Sequence, residues 1–276
     1  MTKLNVLIAY PYYAGRYQEI VKSMGDSIRF VLDSGAFTSW KLGKEIRLDD
    51  YCKFIETLPV KPWRYFTLDV IGDPEATMEN YQTMLRRGFN PIPVFTRGED
   101  PSVLEEYYAN SDVVGVGGLV GTEGNRGFVK GIMEKIGERR VHWLGFTNLE
   151  FVKHYKPYMC DTSAWESAAR YGQLRLYMGR GRFKTFNRKD FAQKPDESVL
   201  RRISGLGLDP YKLAKEKNWR GSYSTIRELA AYNSVDLSMD VEKNIGTKYF
   251  LAVAAICGFS LVVKAYRDFT KGKPNG

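Results

Sequence analysis

Short apolar runs alternate regularly with segments of helical character, and this alternation is the feature that most constrains the fold of the chain. The runs are rich in β-branched and aromatic residues, and most of them are apolar at odd and even positions alike. Strands of this kind are buried on both faces, which is typical of a parallel sheet covered by helices. The predicted strands are Asn5–Tyr10, Phe30–Asp33, Tyr65–Val70, Ile92–Thr96, Val113–Val116, Val141–Phe146, Tyr158–Asp161 and Leu174–Met178.

Helix-start signals stand between the runs. Asp73 before Pro74 places a good N-cap residue ahead of a proline at the first helical position, and Asp100-Pro101 repeats the signal. An aspartate pair at residues 49–50 is suited to capping a further helix. The predicted helices are Asp49–Leu58, Pro74–Arg87, Ser102–Ala109, Asn125–Gly137, Asn148–Tyr155 and Ser163–Tyr171.

Eight strands in a largely β-then-α order predict an α/β fold of the (β/α)8 TIM barrel type, which needs roughly 250 residues. An open Rossmann sheet is the structural alternative, but no GxGxxG follows the first strand. We therefore predict a barrel core over residues 1–190 that carries the active site. A small C-terminal helical segment over residues 191–276 should complete and extend the barrel, with helices at Ser198–Leu206, Pro210–Lys217, Ser224–Asn233 and Met239–Ala265.

The charge balance and the cysteines limit the class of protein. A formal net charge of +9 favours a polyanionic partner such as nucleic acid. The three cysteines are scattered along the chain, so no disulfide framework is expected. This usage of cysteine fits a reducing cytoplasm, which would be that of the host cell if the protein is viral. The apolar stretch Tyr249–Val263 is shorter than the roughly 20 residues of a membrane span. It is therefore predicted to be a buried core helix, and no membrane partner is expected.

Carboxylates follow several predicted strands, at the end of a barrel where catalytic groups lie. Asp33, Asp69 and Asp161 each stand at a strand end, as do Thr96 and Gly145. Crowded carboxylates in a partly dry site repel each other, so that one can stay anionic while another holds a proton. An anion and an acid are what double displacement at a glycosidic carbon requires. Aspartate is also common in turns and helix caps, and each residue taken alone could be structural.

These segments resemble the tRNA-guanine transglycosylase superfamily. Within it they are closest to the phage and bacterial deazapurine DNA-modification transglycosylases, the DpdA family, over about residues 28–190. The stretch DSGAF at residues 33–37 resembles the family's DSGGF/Y motif, and Gly117-Gly118-Leu119 matches its GGL. The stretch HWLG at residues 142–145 resembles its HYLMG strand, which forms a pocket wall. The resemblance implies a barrel enzyme that exchanges guanine.

The resemblance also implies residue roles. Asp33 corresponds to the general acid/base, Asp161 to the nucleophile, and Phe37 to an aromatic that stacks on the base. Asp69 falls where the family binds the guanine edge. The remaining residues implied or placed at the base are Thr96, Gly117, Gly118, Leu119 and Gly145. Glycines at 117 and 118 would let the backbone approach a planar ligand, although a plain tight turn explains them as well.

The sequence departs from the tRNA-modifying enzymes in two places. Those enzymes hold zinc with a CxCxxC motif and a distant histidine, whereas residues 190–276 contain one cysteine and no histidine. The PTRxxR stretch that follows their nucleophile is replaced by TSAWE at residues 162–166. We therefore expect no zinc and no other cofactor, and the DNA-modifying branch fits better than the tRNA branch.

A nucleic-acid surface is expected from basic residues, with Trp165 and Tyr171 as candidate stacking groups. A solvated basic face is the simpler explanation of such a cluster. A guanine within a duplex cannot reach a barrel mouth, so single-stranded DNA or a flipped base is expected. The candidate basic residues are Arg126, Arg170, Arg175, Arg180, Arg182 and Lys184.

The sequence thus predicts a DNA-guanine transglycosylase that replaces guanine in DNA with a 7-deazaguanine base, the 7-cyano form being the expected one. The same chemistry on tRNA is the nearest alternative. A DNA glycosylase or nuclease that releases a base without inserting another is a second, and a DNA-binding barrel without activity is a third. The oligomeric state and the DNA sequence preference are not predicted.

Overall fold

The computed structural model describes residues 3–13, 17–119, 126–193, 195–219, 225–254 and 258–272, with only the backbone of Arg126, Val253 and Ala254. The chain forms two compact units. The first consists of Met1–Asp161 and Thr247–Leu251, and the second of Thr162–Gly246 and Ala252–Gly276. The predicted division at residue 190 stays a prediction.

The described part of the chain contains ten strands, most of them short. Seven belong to the first unit and follow the predicted order, with ends shifted by a few residues. In chain order the strands are β1 Leu4–Ala9, β2 Ile28–Asp33, β3 Arg64–Tyr65, β4 Val94–Phe95, β5 Val114–Val116, β6 Val141–Trp143, β7 Met159–Thr162, β8 Gln173–Tyr177, β9 Phe183–Asn187 and β10 Tyr249–Ala254.

Eight of these strands form one curled parallel sheet in the order β3-β2-β1-β10-β7-β6-β5-β4. The longest ladder joins β1 to β2, from Leu4 opposite Ile28 to Ala9 opposite Asp33. All six residues of β1 are buried, as are all residues of β5 and β6. Burial on both faces explains why these segments lack the polar alternation of a half-exposed strand.

The sheet is a half-barrel, compatible with a TIM-like α/β fold, and it is not a closed barrel. The prediction of a closed (β/α)8 barrel is therefore confirmed only in its coarser form. The strands at the two ends of the order, β3 and β4, contain two residues each and share no ladder. A single parallel bridge, between Phe66 and Ile92, joins the segments beside them.

The identity of the eighth strand was predicted wrongly. Leu174–Met178 corresponds to β8, which pairs antiparallel with β9 in a separate two-stranded sheet. The eighth strand of the large sheet is β10, which lies inside the stretch predicted as a core helix. In β8 the side chains of Leu174 and Leu176 are buried while Gln173 and Arg175 are exposed, the alternation of a half-buried strand.

Eight helices of the first unit follow or separate its strands within the described ranges. Asp73 caps its helix as predicted, since its carboxylate accepts the N–H of Ala76 at 2.9 Å. The pair Asp49–Asp50 lies inside the first turn of its helix and does not cap it. The helices are α1 Tyr10–Tyr12, α2 Gln18–Met24, α3 Ala36–Lys41, α4 Leu48–Thr57, α5 Pro74–Arg86, α6 Val103–Asn110, α7 Arg126–Ile136 and α8 Leu149–Tyr155.

The second unit is mainly helical. Its long helix packs against α9, β8 and α14. This helix replaces the predicted Ser224–Asn233 helix and the start of the predicted Met239–Ala265 helix. The helices are α9 Ala164–Arg170, α10 Arg188–Gln193, α11 Glu197–Gly205, α12 Pro210–Lys215, α13 Thr225–Asn244 and α14 Phe259–Thr270. In the ranges that the structure describes, no helix is long and apolar enough to cross a membrane.

Candidate active site

Asp33 is the last residue of β2, and a tight turn carries the chain from it into α3. One carboxylate oxygen, Oδ2, accepts the backbone N–H of Gly35 at 2.9 Å. Gly35 has a φ of +79°, in the left-handed region that glycine adopts readily. The turn therefore fixes the Asp33 side chain at the carboxyl edge of the sheet, where the sequence pattern placed it.

Gly35 is also required by packing against the chain after β1. A Cβ at this position would lie 2.4 Å from Cδ of Pro11, well inside van der Waals contact. We predict that Gly35→Ala lowers the free energy of unfolding by about 2–4 kcal/mol, from the left-handed backbone and the overlap together. Gly43 has a φ of +61° and open space where a Cβ would lie, so Gly43→Ala should lower the free energy of unfolding by only about 1–2 kcal/mol. Urea unfolding of both variants measures the difference, and equal losses would contradict the Pro11 contact.

Asp69 lies beyond β3 and is tied to the same turn. The hydroxyl of Ser34 donates a hydrogen bond to Oδ1 of Asp69 at 2.8 Å, and the Ser34 hydroxyl oxygen accepts the N–H of Ala36 at 3.2 Å. Ser34 is fully buried. The residue next to Asp33 in the chain thus orients the second carboxylate.

Asp161 lies in β7 and is held by two donors. Its Oδ1 is 2.8 Å from Nε2 of His142 and accepts the backbone N–H of Gly145 at 2.9 Å. Asp161 is only 4% exposed, and Gly145 has a φ of +66°, which turns its N–H toward the carboxylate. Two donors on one oxygen fix the orientation of the carboxylate. Among the described residues, none donates a hydrogen bond to the other oxygen, Oδ2.

The surroundings of His142 select its tautomer. The imidazole is fully buried, and its ring lies edge-on to Phe66 with centroids 5.0 Å apart. Its Nδ1 is buried and has no hydrogen-bond partner within the described ranges. A carboxylate oxygen accepts hydrogen bonds, so the contact with Asp161 places a ring proton on Nε2. The same contact fixes the orientation of the imidazole ring beside the carboxylate.

The carboxylates influence one another electrostatically. Burial raises the pKa of Asp33 to about 7, and repulsion from Asp69 and Asp161 adds to this effect. Burial also raises the pKa of Asp69, although the hydrogen bond from Ser34 acts in the opposite direction and lowers it. The structure therefore brings the three predicted aspartates within electrostatic reach, with one of them poised to exchange a proton near neutral pH.

Tyr51 of α4, which no sequence motif marks, lies within electrostatic reach of Asp33 and Asp69. Its hydroxyl is buried and donates to the carbonyl oxygen of Phe66 at 2.9 Å. Burial and the charges of Asp33 and Asp69 raise its pKa well above the usual range. Tyr51 therefore stays neutral, and it supports the strand end that precedes Asp69.

The residues predicted to contact the base from β4 and β5 are neighbours in space. The N–H of Gly117 donates to the carbonyl oxygen of Phe95 at 2.8 Å, one residue before Thr96. Gly118 has a φ of +68°, and a Cβ there would lie 3.1 Å from Cβ of Arg97. Gly118 is exposed, so its backbone groups are accessible, whereas Gly117 is buried and its N–H is already donated to Phe95. Leu119 is fully buried, so its side chain contributes to packing.

Phe37 is more exposed than the three carboxylates. It lies on α3 and is 45% exposed, with Nζ of Lys41 4.4 Å from the centre of its ring. An exposed ring two residues beyond Gly35 is available for stacking. The assigned role of Phe37 at the base stays a prediction.

The basic residues predicted to bind nucleic acid differ in their availability. Arg170 pairs with Glu166 at 3.1 Å, and Lys184 pairs with Asp196. The guanidinium of Arg175 lies 4.2 Å above the ring of Phe183. Arg180 and Arg182 are exposed, and the side chain of Arg126 lies outside the described residues.

The two candidate stacking groups of the second unit have different exposures. Trp165 is buried, and a Cβ at Gly258 would lie 2.3 Å from its ring. Its prediction as a stacking group is therefore wrong, because a nucleic-acid base cannot reach the ring face. Tyr171 is well exposed.

Besides Tyr51, the sequence pattern did not reveal the roles of two residues, Ser34 and His142, which contact Asp69 and Asp161. Both lie inside motifs already singled out, so their positions were available while their contacts were not. In the part of the chain that the structure describes, no three His, Cys, Asp or Glu side chains are grouped to hold a metal ion. Comparisons with protein-family models, curated proteins and solved structures found no match to this chain.

Proposed function

We propose that this chain is a DNA-guanine transglycosylase, an enzyme that exchanges guanine in DNA for a 7-deazaguanine base such as 7-cyano-7-deazaguanine. The observation that carries the proposal is that two carboxylates of the site have different environments. Asp161 is oriented by two hydrogen-bond donors on one oxygen, while the pKa of Asp33 is raised to about 7. A nucleophile and an acid/base of this kind suit double displacement at C1′ of a nucleoside.

In the first displacement, Oδ2 of Asp161 attacks C1′ of the target deoxyguanosine. A C1′–O bond forms as the C1′–N9 bond breaks, and the bonding electron pair leaves with guanine. The protonated carboxyl of Asp33 gives its proton to the departing base. The result is a covalent sugar–enzyme ester, free guanine and an Asp33 carboxylate.

The second displacement runs in reverse with the incoming base. The Asp33 carboxylate removes the proton from N9 of the deazaguanine, and N9 attacks C1′. The ester bond to Asp161 breaks, and its electron pair returns to the carboxylate. Asp33 ends protonated and Asp161 ends anionic, so the site is ready for another cycle and no cofactor is consumed.

Asp69 and the glycine turn supply recognition in this proposal. A carboxylate can accept the paired N–H donors on the edge of guanine or of a 7-deazaguanine, and such donors offset the cost of burying Asp69. The backbone of Gly118 is exposed and no side chain covers it, so it can contact the heterocycle. Phe37 offers a stacking face.

We further propose that this half-barrel belongs to the TIM-like (β/α)8 class of folds. Two backbone hydrogen bonds beside the Phe66–Ile92 bridge support the proposal. Ile92 donates to Tyr65 at 2.8 Å, and Thr67 donates to Ile92 at 2.9 Å. The order of strands around the sheet is also the chain order once β10 is counted as the eighth.

His142 should act as a positioning residue for Asp161. We predict that His142→Leu lowers kcat for base exchange by about 10²-fold with little change in KM for DNA, because the nucleophile loses an orienting donor. His142→Gln offers an amide N–H near the place of Nε2 and should recover most of that loss. Steady-state exchange kinetics of both variants test the role. Equal losses in both would show that the ring serves packing alone.

The proposed function is tested by incubating the protein with single- and double-stranded DNA and 7-cyano-7-deazaguanine. The DNA is then digested and its nucleosides are analysed by mass spectrometry. A deazaguanine deoxynucleoside together with free guanine is the expected result. Guanine release without insertion would favour a glycosylase, and exchange into tRNA but never into DNA would exclude the DNA assignment.

A further inference from the structure

An exposed aromatic pair lies on α3. Phe37 is 45% exposed and Trp40 is 60% exposed, and their ring centres are 6.0 Å apart at an interplanar angle of 25°. The spacing of three residues places both rings on one face of the helix. Large aromatic side chains usually bury most of their surface, and exposed apolar groups that cluster mark interaction sites.

Positive charge surrounds this pair. Lys41 lies over the Phe37 ring, and Lys44 and Arg47 are exposed in the loop that follows. None of the three forms an ion pair with a carboxylate of a described residue. Glu45 is the only acidic residue between positions 41 and 47. Farther along, Asp49 pairs with Arg87 at 2.7 Å.

The chain connects this surface directly to the candidate active site. The turn that holds Asp33 ends at Gly35, and α3 begins at the next residue. A Cβ at Gly35 would overlap Pro11, so the chain at the start of α3 packs closely against the segment after β1. A strand of nucleic acid that presents a base to Asp33 must therefore pass close to α3.

We propose that Phe37, Trp40 and Lys41 form a stacking platform for single-stranded nucleic acid, on which Trp40 holds a nucleotide that neighbours the target. Exposed rings bind bases in a sequence-tolerant way, since every base has a flat face, and lysines beside them neutralise phosphates. The identity of the target base rests on the proposed function. The stacking itself requires no chemistry at the carboxylates.

Trp40 provides its own signal for the test. Of the five tryptophans, Trp143, Trp165 and Trp219 are buried and Trp63 is partly covered, so Trp40 is the most exposed. Titration of the wild-type protein with a labelled DNA strand of about 12 nucleotides should quench its red-shifted emission, and fluorescence anisotropy gives the Kd. We predict that Trp40→Ala raises the Kd by about 5- to 100-fold. The Kd of Trp40→Phe should lie between those of the wild type and Trp40→Ala, and this variant should show no quenching.

Two control variants separate stacking from general effects. Tyr211→Ala removes an aromatic side chain that is 67% exposed on α12 of the second unit, and it should leave the Kd unchanged. Lys41→Ala should reduce the slope of log Kd against log salt concentration by about one. Circular dichroism checks that the variants are folded. An unchanged Kd in Trp40→Ala, or equal losses in Trp40→Ala and Tyr211→Ala, would overturn the platform.

The exchange assay distinguishes failure of the platform from failure of the proposed function. If Trp40→Ala loses DNA affinity while the wild type exchanges no base, the platform stands and the proposed chemistry falls. If the wild type exchanges guanine and Trp40→Ala does so with an unchanged KM for DNA, the chemistry stands and the platform falls. Wild-type protein that binds duplex DNA or another protein but no single strand would also overturn the platform.

Discussion

Asp161→Asn should abolish base exchange, with kcat reduced by about 10⁴- to 10⁶-fold, as is found when the nucleophile of a covalent mechanism is removed. The amide has no anionic oxygen to attack C1′. It still offers an oxygen to Nε2–H of His142 and to the N–H of Gly145, which hold Oδ1 in the wild type at 2.8 and 2.9 Å. The variant should therefore fold normally, and the loss should lie in the chemical step.

Trapping of the intermediate makes this prediction specific. With DNA but no incoming base, the wild type should form a covalent protein–DNA adduct, visible on a denaturing gel, and should release guanine. Asp161→Asn should form none. Asp26→Asn is a matched control, because Asp26 is exposed, and it should behave as wild type. If Asp161→Asn exchanged guanine at the wild-type rate, the nucleophile would have to be another residue.

The sequence predicted the positions of Asp33 and Asp161 within the fold because each carboxylate ends an apolar run. A buried strand tolerates a charged side chain only where the sheet meets solvent or a site, so the first aspartate after such a run marks the strand end. Asp33 is the last residue of β2, and Asp161 is the third of four residues in β7. Local pattern was sufficient for this part of the site.

The eighth strand could not be predicted in the same way. The run from Tyr249 to Val263 is apolar on all faces, and an apolar run of this kind does not distinguish a buried strand from a buried helix. Its length favoured a helix, whereas the chain forms β10 up to Ala254 and then α14 from Phe259. Polar and apolar residues alternate in the sequence from Gln173 to Leu176, and this pattern is the signal that would have marked β8 as a half-exposed strand.

The contacts within the site depend on pairings distant in sequence. Ser34 meets Asp69 across 35 positions, and His142 meets Asp161 across 19. Nothing in the local pattern around His142 separates a packed histidine from one that orients a carboxylate. The exposure of Trp40 is likewise a tertiary property, because an aromatic residue in a short helix is usually buried.

Asp33→Asn should raise the stability of the folded protein above neutral pH while lowering exchange by about 10²- to 10⁴-fold, the usual contribution of a general acid/base. Burial and the neighbouring carboxylates raise the pKa of Asp33 from 3.8 to about 7. Below about pH 4 the carboxyl holds its proton in both the folded and the unfolded chain, so it adds no pH dependence. Between about pH 4 and pH 7 only the folded chain keeps the proton, and wild-type stability falls as the pH rises.

Above about pH 7 both states are ionised, and the folded wild type retains a cost of about 2–4 kcal/mol from the buried charge. An asparagine cannot ionise, keeps an oxygen for the N–H of Gly35, and removes the repulsion that Asp33 exerts on its neighbours. Urea unfolding at about pH 4 and about pH 8 should show equal stabilities at the lower pH and a more stable variant at the higher one. Asp26→Asn should show no such divergence. If wild type and Asp33→Asn keep the same pH dependence, Asp33 is not the group that titrates near neutrality, and the acid/base must be sought at Asp69, whose pKa burial also raises.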